Sequence, residues 1–274
     1  MAKIEETRGK LVHLDNEKAY DRIDREWLIQ SLQAFGFSEK YTRLIKPIYM
    51  NNQASLILSN HLTTPFPVNQ GIRQGDPLSP LLYNIAIEPL LIKLKSVISG
   101  IKIPNIPSIV TTAFADDITV AVADQRDADT LFEVIDRFHR ASNSKINRQK
   151  SEAVPLSQHT RLHLQLPCRY IQEEGSFTLL GIPFNTKSIF PRESYFEELR
   201  AKLQKTVESW KTRSLSLIGK VHLVNSRLLS KLWYISQLIP PPSKFLKCVN
   251  NIIKSFIWGG KRPQISMEIL QQPG

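Results

Sequence analysis

Two adjacent carboxylates inside an apolar run constrain this chain more than any other feature. In AFADDITVA, residues 113–121, Asp116 and Asp117 separate the run Ser108 to Ala115 from the run Ile118 to Ala123. Two runs of strand length joined by turn residues predict a β-hairpin: Ile109 to Ala115 outward, Asp116-Asp117 as the turn, Ile118 to Ala123 back. Aspartate suits such a turn because it tolerates left-handed backbone. Turn chemistry alone still leaves two like charges side by side against apolar surface, a repulsion that a proton or a cation has to relieve. A third acid closes another short apolar run, Asp15 at the end of LVHLD, residues 11–15. If the two strands pair side by side, Asp15, Asp116 and Asp117 form a set of hard oxygen donors for a divalent cation, Mg2+ foremost. Two such ions about 3.5–4 Å apart activate a hydroxyl nucleophile and stabilise the leaving oxygen in phosphoryl transfer.

The rest of the chain supplies a frame for such strands. From Glu17 the pattern turns helical, with Tyr20, Ile23, Trp27, Leu28, Leu32 and Phe35 on one side and Gly36 as the stop. Ser38 is placed to cap a second helix through Tyr49. ASLILSNHLTTPFPV reads as a hairpin turning at Ser59-Asn60-His61, and the polar, glycine-containing loop NQGIRQGDP leads into a long helix from Ser79 to Ile98. Pro104 and Pro107 mark the next connection. After the aspartate hairpin come a helix from Ala128 to Ala141, the segment KINRQKSEAVPL and a short strand over Phe177 to Ile182. From Pro191 the pattern is helical, broken at Ser214 to Ser216 and at Pro240 to Pro242. Strands and helices in this order predict an α+β domain, residues 1–190, followed by an α-helical one, residues 191–274.

Composition excludes several classes. The 274 residues are 42% hydrophobic and 22% charged, the balance of a globular protein and not of a disordered one. Cys168 and Cys248 form no metal-binding spacing and suggest free thiols in a reducing compartment. MAKIEETRGK lacks the apolar stretch of a secretory signal, and Glu88, Lys93 and Lys95 interrupt the most apolar helix, so the sequence predicts an intracellular protein without a membrane span. The formal net charge of +11 is lopsided: residues 201–274 carry twelve Lys and Arg against two Glu, which accounts for ten of it. Such a segment serves equally as a solvated basic face or as a surface for a polyanion.

The motifs carry a resemblance. LDNEKAYD (14–21), QGIRQGDPLSPLLYN (70–84), FADD (114–117), INRQKSE (146–152) and LLGIPF (179–184) stand in the order of the palm motifs of reverse transcriptases. The RQGDPLSP and FADD forms resemble those of LINE-type, non-LTR retrotransposons, and WKTRSLSLIGKVHLVNSRLL (210–229) is similar to the thumb-side segment of the same family. The resemblance implies a palm, a small antiparallel sheet packed on helices, followed by a helical thumb-like region. It implies an RNA-directed DNA polymerase using two Mg2+ ions, or Mn2+, with RNA template, DNA primer and dNTP as partners, no membrane, and a nuclear setting.

It also implies roles residue by residue. Asp15 and Asp116 would be the principal metal ligands and Asp117 a supporting one. Tyr20 would lie under the sugar as a steric gate against a 2′-hydroxyl. Gln74 and Gly75 would face the nucleotide, with Arg73 beside them for a phosphate or the template. Lys150 would donate a proton to the leaving pyrophosphate, and Leu180-Gly181 would belong to the primer grip. Asn16 and Asn143 depart from the family pattern, which favours an apolar residue and a glycine there. With fourteen residues before Asp15, the fingers region that usually precedes the first motif is largely missing. Other segments of such an element would then be partners, and the alternative reading is an inactive truncated remnant that at most binds nucleic acid.

Overall fold

The computed structural model describes residues 9–103, 106–156, 164–171, 175–185 and 193–259. The first eight residues, Pro104, Pro191 and the basic pair Lys261-Arg262 lie outside them. The chain divides into two compact units, residues 1–175 and 176–274.

In the first unit, strand β1 (Lys10–Leu14) leads into a single helical turn, α1 (Ala19–Arg22), then α2 (Arg25–Ala34) and α3 (Glu39–Tyr49). The single helix expected from Glu17 is broken at Ile23-Asp24. Ile23 has ψ 125°, outside the helical range, and the Asp24 carboxylate accepts the Trp27 N–H at 2.8 Å, starting α2 as an N-cap. Ser38 caps α3 through the Tyr41 N–H, as expected. Short strands β2 (Asn52–Ala54), β3 (Ile57–Leu58), β4 (His61–Leu62) and β5 (Phe66–Val68) follow, β2 pairing with β5 and β3 with β4. The inner hairpin turns at Ser59-Asn60, both with positive φ, the two-residue turn whose twist matches that of the strands.

The long helix α4 (Ser79–Val97) ends within one residue of expectation and precedes β6 (Ile101–Ile103), β7 (Ile106–Ile109), β8 (Thr111–Phe114) and β9 (Asp117–Val122). Helix α5 (Gln125–Ser142), β10 (Glu152–Pro155) and β11 (Arg169–Tyr170) complete the unit. Strands associate in the order β11-β10-β1-β9-β8, antiparallel except for β10 and β11. The side of β1 bearing Val12 and Leu14 and that of β9 bearing Ile118, Val120 and Val122 are fully buried, sharing one core with Leu82, Ala86, Leu90, Leu131 and Ile135 of α4 and α5. Helix α4 packs against both α2 and α5.

That burial corrects the expected turn. Phe114 pairs with Asp117, so the turn is Ala115-Asp116, with Ala115 at φ 52°, and Asp117 is the first residue of β9. The register follows the apolar face: a slip of one residue would turn Ile118, Val120 and Val122 away from the core. The strand expected over Ile109 to Ala115 is likewise divided at Val110, Ile109 pairing with Ile101 in a separate hairpin.

One carboxylate fastens two connections. Asp127, buried in the first turn of α5, accepts N–H groups from Ser99 (2.9 Å), Gly100 (3.2 Å) and Ala123 (3.1 Å), which belong to the ends of α4 and β9. Each is a charge-assisted bond to a backbone N–H.

In the second unit a hairpin of β12 (Ser176–Leu179) and β13 (Ile182–Asn185) precedes α6 (Glu193–Lys211), α7 (Leu217–Leu223), a π-helical stretch Val224–Leu229, α8 (Ser230–Ser236) and α9 (Ser243–Trp258). Both expected helix breaks are present. Ser216 caps α7 by accepting the Gly219 N–H at 3.1 Å, and Pro242 stands at the entrance to α9. The core holds Leu203, Val207, Leu228, Ile235, Val249 and Phe256, with Ile182 buried among them. Burial of Ile182 is why the contacts divide at 175/176, ahead of the boundary expected near 190. Among the described residues no helix is long and apolar enough to cross a membrane, and both cysteines are free.

Asp127→Ala leaves three N–H groups without an acceptor and is expected to lower unfolding stability by about 3 kcal/mol, read as a shift in the urea midpoint at unchanged slope.

Candidate active site

The pairing of β1 with β9 brings the carboxylates to one edge of the sheet. Leu14 lies opposite Ile118, so the next positions along the two strands are Asp15 and Asp117. Beyond them the Asn16 side-chain amide donates to the Asp116 carbonyl at 2.7 Å. The Asn16 side chain thus ties the turn to β1, a task for which an apolar residue has no group. Asp117 Oδ1 is 3.7 Å from His13 Nε2, and His13 Nδ1 is 3.2 Å from the Thr119 hydroxyl. His13 is absent from the sequence-derived set. Its signal is its spacing, two residues before Asp15 and therefore on the same side of the strand.

Among the described residues no three His, Cys, Asp or Glu side chains are drawn together into a group able to hold a metal ion. The donor type nevertheless fits a hard cation of the kind bound by one or two carboxylates together with substrate phosphates.

The backbone of Asp15 is held at both polar groups. Its N–H donates to the Ser151 hydroxyl at 3.1 Å, and its carbonyl accepts the Asn147 N–H at 2.8 Å. Ser151, fully buried, donates in turn to the Asn147 carbonyl at 2.8 Å. Lys150 is exposed on this same turn, so one short segment both fixes Asp15 and carries the lysine. Asn143 takes the left-handed conformation, φ 56°, at the end of α5, and its side chain reaches the Arg22 carbonyl and the Gln70 side chain. Asparagine meets the glycine-like backbone requirement and adds two bonds that glycine lacks.

The loop Gln70-Gly71-Ile72-Arg73-Gln74-Gly75 packs on α1. Gly71 and Ile72 donate their N–H groups to the carbonyls of Ile23 (2.9 Å) and Tyr20 (2.8 Å). At Gly71, with φ +79°, a Cβ would stand 2.5 Å from the Asp21 carbonyl oxygen. Arg25, buried, donates to the carbonyls of Val68 (2.6 Å), Gln70 (3.0 Å) and Gly71 (3.0 Å), and sequence reasoning missed it because its partners lie more than forty residues away.

Tyr20 stacks on Tyr83 of α4, centroids 4.7 Å apart, and burial, with the charge of Asp116 behind it, raises its phenol above the ordinary value. Gln74 donates to the Asp21 carboxylate at 3.0 Å, whereas Arg73 turns toward Asn52 (2.9 Å) and the Ile48 carbonyl (3.3 Å). Gly75 also has positive φ, 85°, but open space where its Cβ would be. Tyr20, Gln74 and α1 are therefore brought together, while Arg73 is engaged elsewhere.

In the second unit Leu180 and Gly181 form the β12–β13 turn, both at positive φ, and the Tyr234 hydroxyl donates to the Leu180 carbonyl. A separate cavity of about 540 Å³ is lined by Trp210, Lys211, Arg213, Lys220 and Phe256 among others, with no acidic residue among the described residues. The Arg213 guanidinium lies 4.4 Å from the Trp210 ring centroid, and Lys220 donates to the Ile257 carbonyl at 3.1 Å, which leaves two of its N–H groups.

Three aspartates thus stand at or beside the ends of the paired strands β1 and β9, next to a glycine-containing loop seated on a helix with a stacked tyrosine, in an α+β fold. Residues 2–184 match the family model described as Reverse transcriptase (RNA-dependent DNA polymerase). The chain is 30% identical over 254 residues to the transposon TX1 uncharacterized 149 kDa protein of Xenopus laevis, covering 90% of this chain and 19% of that protein. It is 22% identical over 245 residues to the retrovirus-related Pol polyprotein from type-1 retrotransposable element R2 of Popillia japonica, covering 85% and 39% respectively. In fold it is similar to apo telomerase from Candida tropicalis, with a TM-score of 0.50, 13% identity, and coverage of 93% of this chain and 47% of that one. The chain belongs to the reverse transcriptase family, the family of RNA-directed DNA polymerases, in its LINE-type, non-LTR retrotransposon branch. It spans less than two-fifths of the length of either retrotransposon relative.

Gly71→Ala is expected to lower the melting temperature more than Gly75→Ala. Both place a side chain at positive φ, at roughly 1–2 kcal/mol, but only the first also meets backbone, and a pair of thermal melts compares them.

Proposed function

We propose that this chain is the palm and thumb portion of an RNA-directed DNA polymerase that transfers a nucleotidyl group from a dNTP to a primer 3′-hydroxyl. The observation that carries the reading is the antiparallel seating of β1 on β9, with Asp15 and the FADD aspartates at the same sheet edge. Asp15 and Asp116 are assigned as the principal ligands of two Mg2+ ions, for which Mn2+ can substitute, and Asp117, leaning on His13, as the supporting carboxylate. Bound there with the substrate phosphates, such ions lower the pKa of the attacking hydroxyl and stabilise the leaving oxygen.

The remaining tasks fall to the chain itself. Tyr20, fixed by its stack on Tyr83, lies under the sugar and excludes a 2′-hydroxyl. Gln74 and the open side of Gly75 face the nucleotide, where a backbone without Cβ permits close approach. Arg73 orients the β2 region beside it and reaches phosphate or template when released from Asn52. Lys150 protonates the leaving pyrophosphate as general acid. Leu180 and Gly181 contact the primer end as its grip, and RNA template and DNA primer run along the basic second unit. Other segments encoded by the same element, and a nuclear setting, belong to this reading.

Primer extension on an RNA template with Mg2+ tests it. The chain is expected to extend a primer, and Asp116→Asn to reduce the rate at least about 100-fold, as loss of charge stabilisation at the reacting centre does. Extension by Asp116→Asn at the parent rate would refute the metal assignment. Duplex binding without extension would leave the alternative of an inactive remnant.

The cavity at Trp210 provides a separate check on nucleic-acid binding. Neutralising Lys211 and Arg213 together, as Lys211→Gln with Arg213→Gln, is expected to reduce the slope of log affinity against log salt by roughly two for a duplex, measured by fluorescence anisotropy.

A further inference from the structure

His139 stands in α5 but makes its distinctive contact outside that helix. Its Nε2 accepts the Ile146 N–H at 3.0 Å. Its own carbonyl accepts the Asn143 N–H that ends α5, so the base of the side chain is anchored. Ile146 is buried and lies across a single bridge from Asn16. On either side of that bridge, Glu17 N–H donates to the Lys145 carbonyl and Asn147 N–H donates to the Asp15 carbonyl, each at 2.8 Å. Residues 145–147 are thus a short length of backbone laid against residues 15–17, and an imidazole holds the amide at its centre. The same backbone continues into the turn that carries Lys150 and returns through Ser151 to the Asp15 N–H.

We propose that His139 is a positioning residue for Asp15: by accepting the Ile146 amide it sets the 145–151 segment, and through Asn147 and Ser151 it fixes the backbone from which the Asp15 carboxylate projects. The inference rests on the assignment of Asp15 to the reacting centre. It requires a neutral ring, because an imidazolium donates from both nitrogens and accepts from neither. The surroundings keep the ring neutral. Burial lowers the pKa of His139 from its ordinary 6.5; Asp136 on the same helix opposes this, while Arg148 on the turn, Arg22 on α1 and Lys145 reinforce it. Arg148 is itself paired with Asp136 at 2.6 Å, and Lys145 with Glu17 at 3.0 Å, so these charges partly offset one another and burial is the leading cause that disfavours the protonated ring.

Two variants separate positioning from mere packing. His139→Phe fills the space without an acceptor, and His139→Gln keeps an acceptor that does not titrate. In extension assays on the full chain, His139→Phe is expected to lower kcat roughly tenfold or more, as small displacements of catalytic groups do, with KM for dNTP little changed. His139→Gln is expected to restore kcat at neutral pH and to lack the acid-side loss of the parent, which sets in lower than for an ordinary histidine because the His139 pKa is lowered. Hydrogen exchange, compared at equal pH, is expected to quicken in His139→Phe over residues 11–17 as well as 144–151, while α2 and α4 stay protected. Parent kcat in His139→Phe, or loosening confined to 144–151, would overturn the proposal. If the parent chain extends no primer, the polymerase reading fails, and exchange at 11–17 still decides whether His139 governs the Asp15 backbone.

Discussion

The register between β1 and β9 governs the rest of the first unit. Val12 opposite Val120 and Leu14 opposite Ile118 put the large apolar side chains Val12, Leu14, Ile118, Val120 and Val122 on the helix-covered face. Because side chains alternate, the same choice sends His13, Thr119 and Asp117 to the other face. Hydrophobic burial, at about 25 cal/mol per Å² of apolar surface, therefore fixes the position of the polar edge without any polar interaction being needed to assemble it. The contact of His13 with Asp117 is only a refinement, since even fully charged part-exposed pairs contribute about 0–1 kcal/mol.

Once that edge exists, the other parts are attached by hydrogen bonds between backbone and side chain over long sequence distances. Arg25 gathers the carbonyls of Val68, Gln70 and Gly71, Asp127 gathers three N–H groups that follow α4 and β9, and Ser151 links Asp15 to the turn bearing Lys150. Each device satisfies buried backbone that the secondary structure leaves unpaired. They tie the loops around the sheet to the strands and helices.

These attachments also explain which parts were legible beforehand. Apolar periodicity identified β1, β9 and α4, the capping residue Ser38 marked a helix start, and Ser214 to Ser216 marked a break, because those interactions act within a few residues. That Asp15 and the Asp116-Asp117 pair stand at strand ends was legible from acids closing apolar runs. The turn was misplaced by one residue because Ala115, not aspartate, takes the left-handed position, a choice imposed by pairing with β1. The helix from Glu17 was read through Asp24 because periodicity continues across the break, whereas the Ser142 carbonyl that receives the Asp24 N–H is remote in sequence. His13, Arg25, Asp127, His139 and Ser151 act on partners that only the folded chain brings near, and local pattern carries no trace of that.

The position of Ala115 separates two demands that a DD turn would otherwise place on the same residues. Left-handed backbone at a residue with a Cβ costs on the order of 1–2 kcal/mol, and here an alanine absorbs that strain. Neither aspartate needs to spend its side chain stabilising the turn, in contrast to the usual self-bonding of turn aspartates. Both carboxylates remain available at the sheet edge, held in place by a neighbour that has no chemistry of its own.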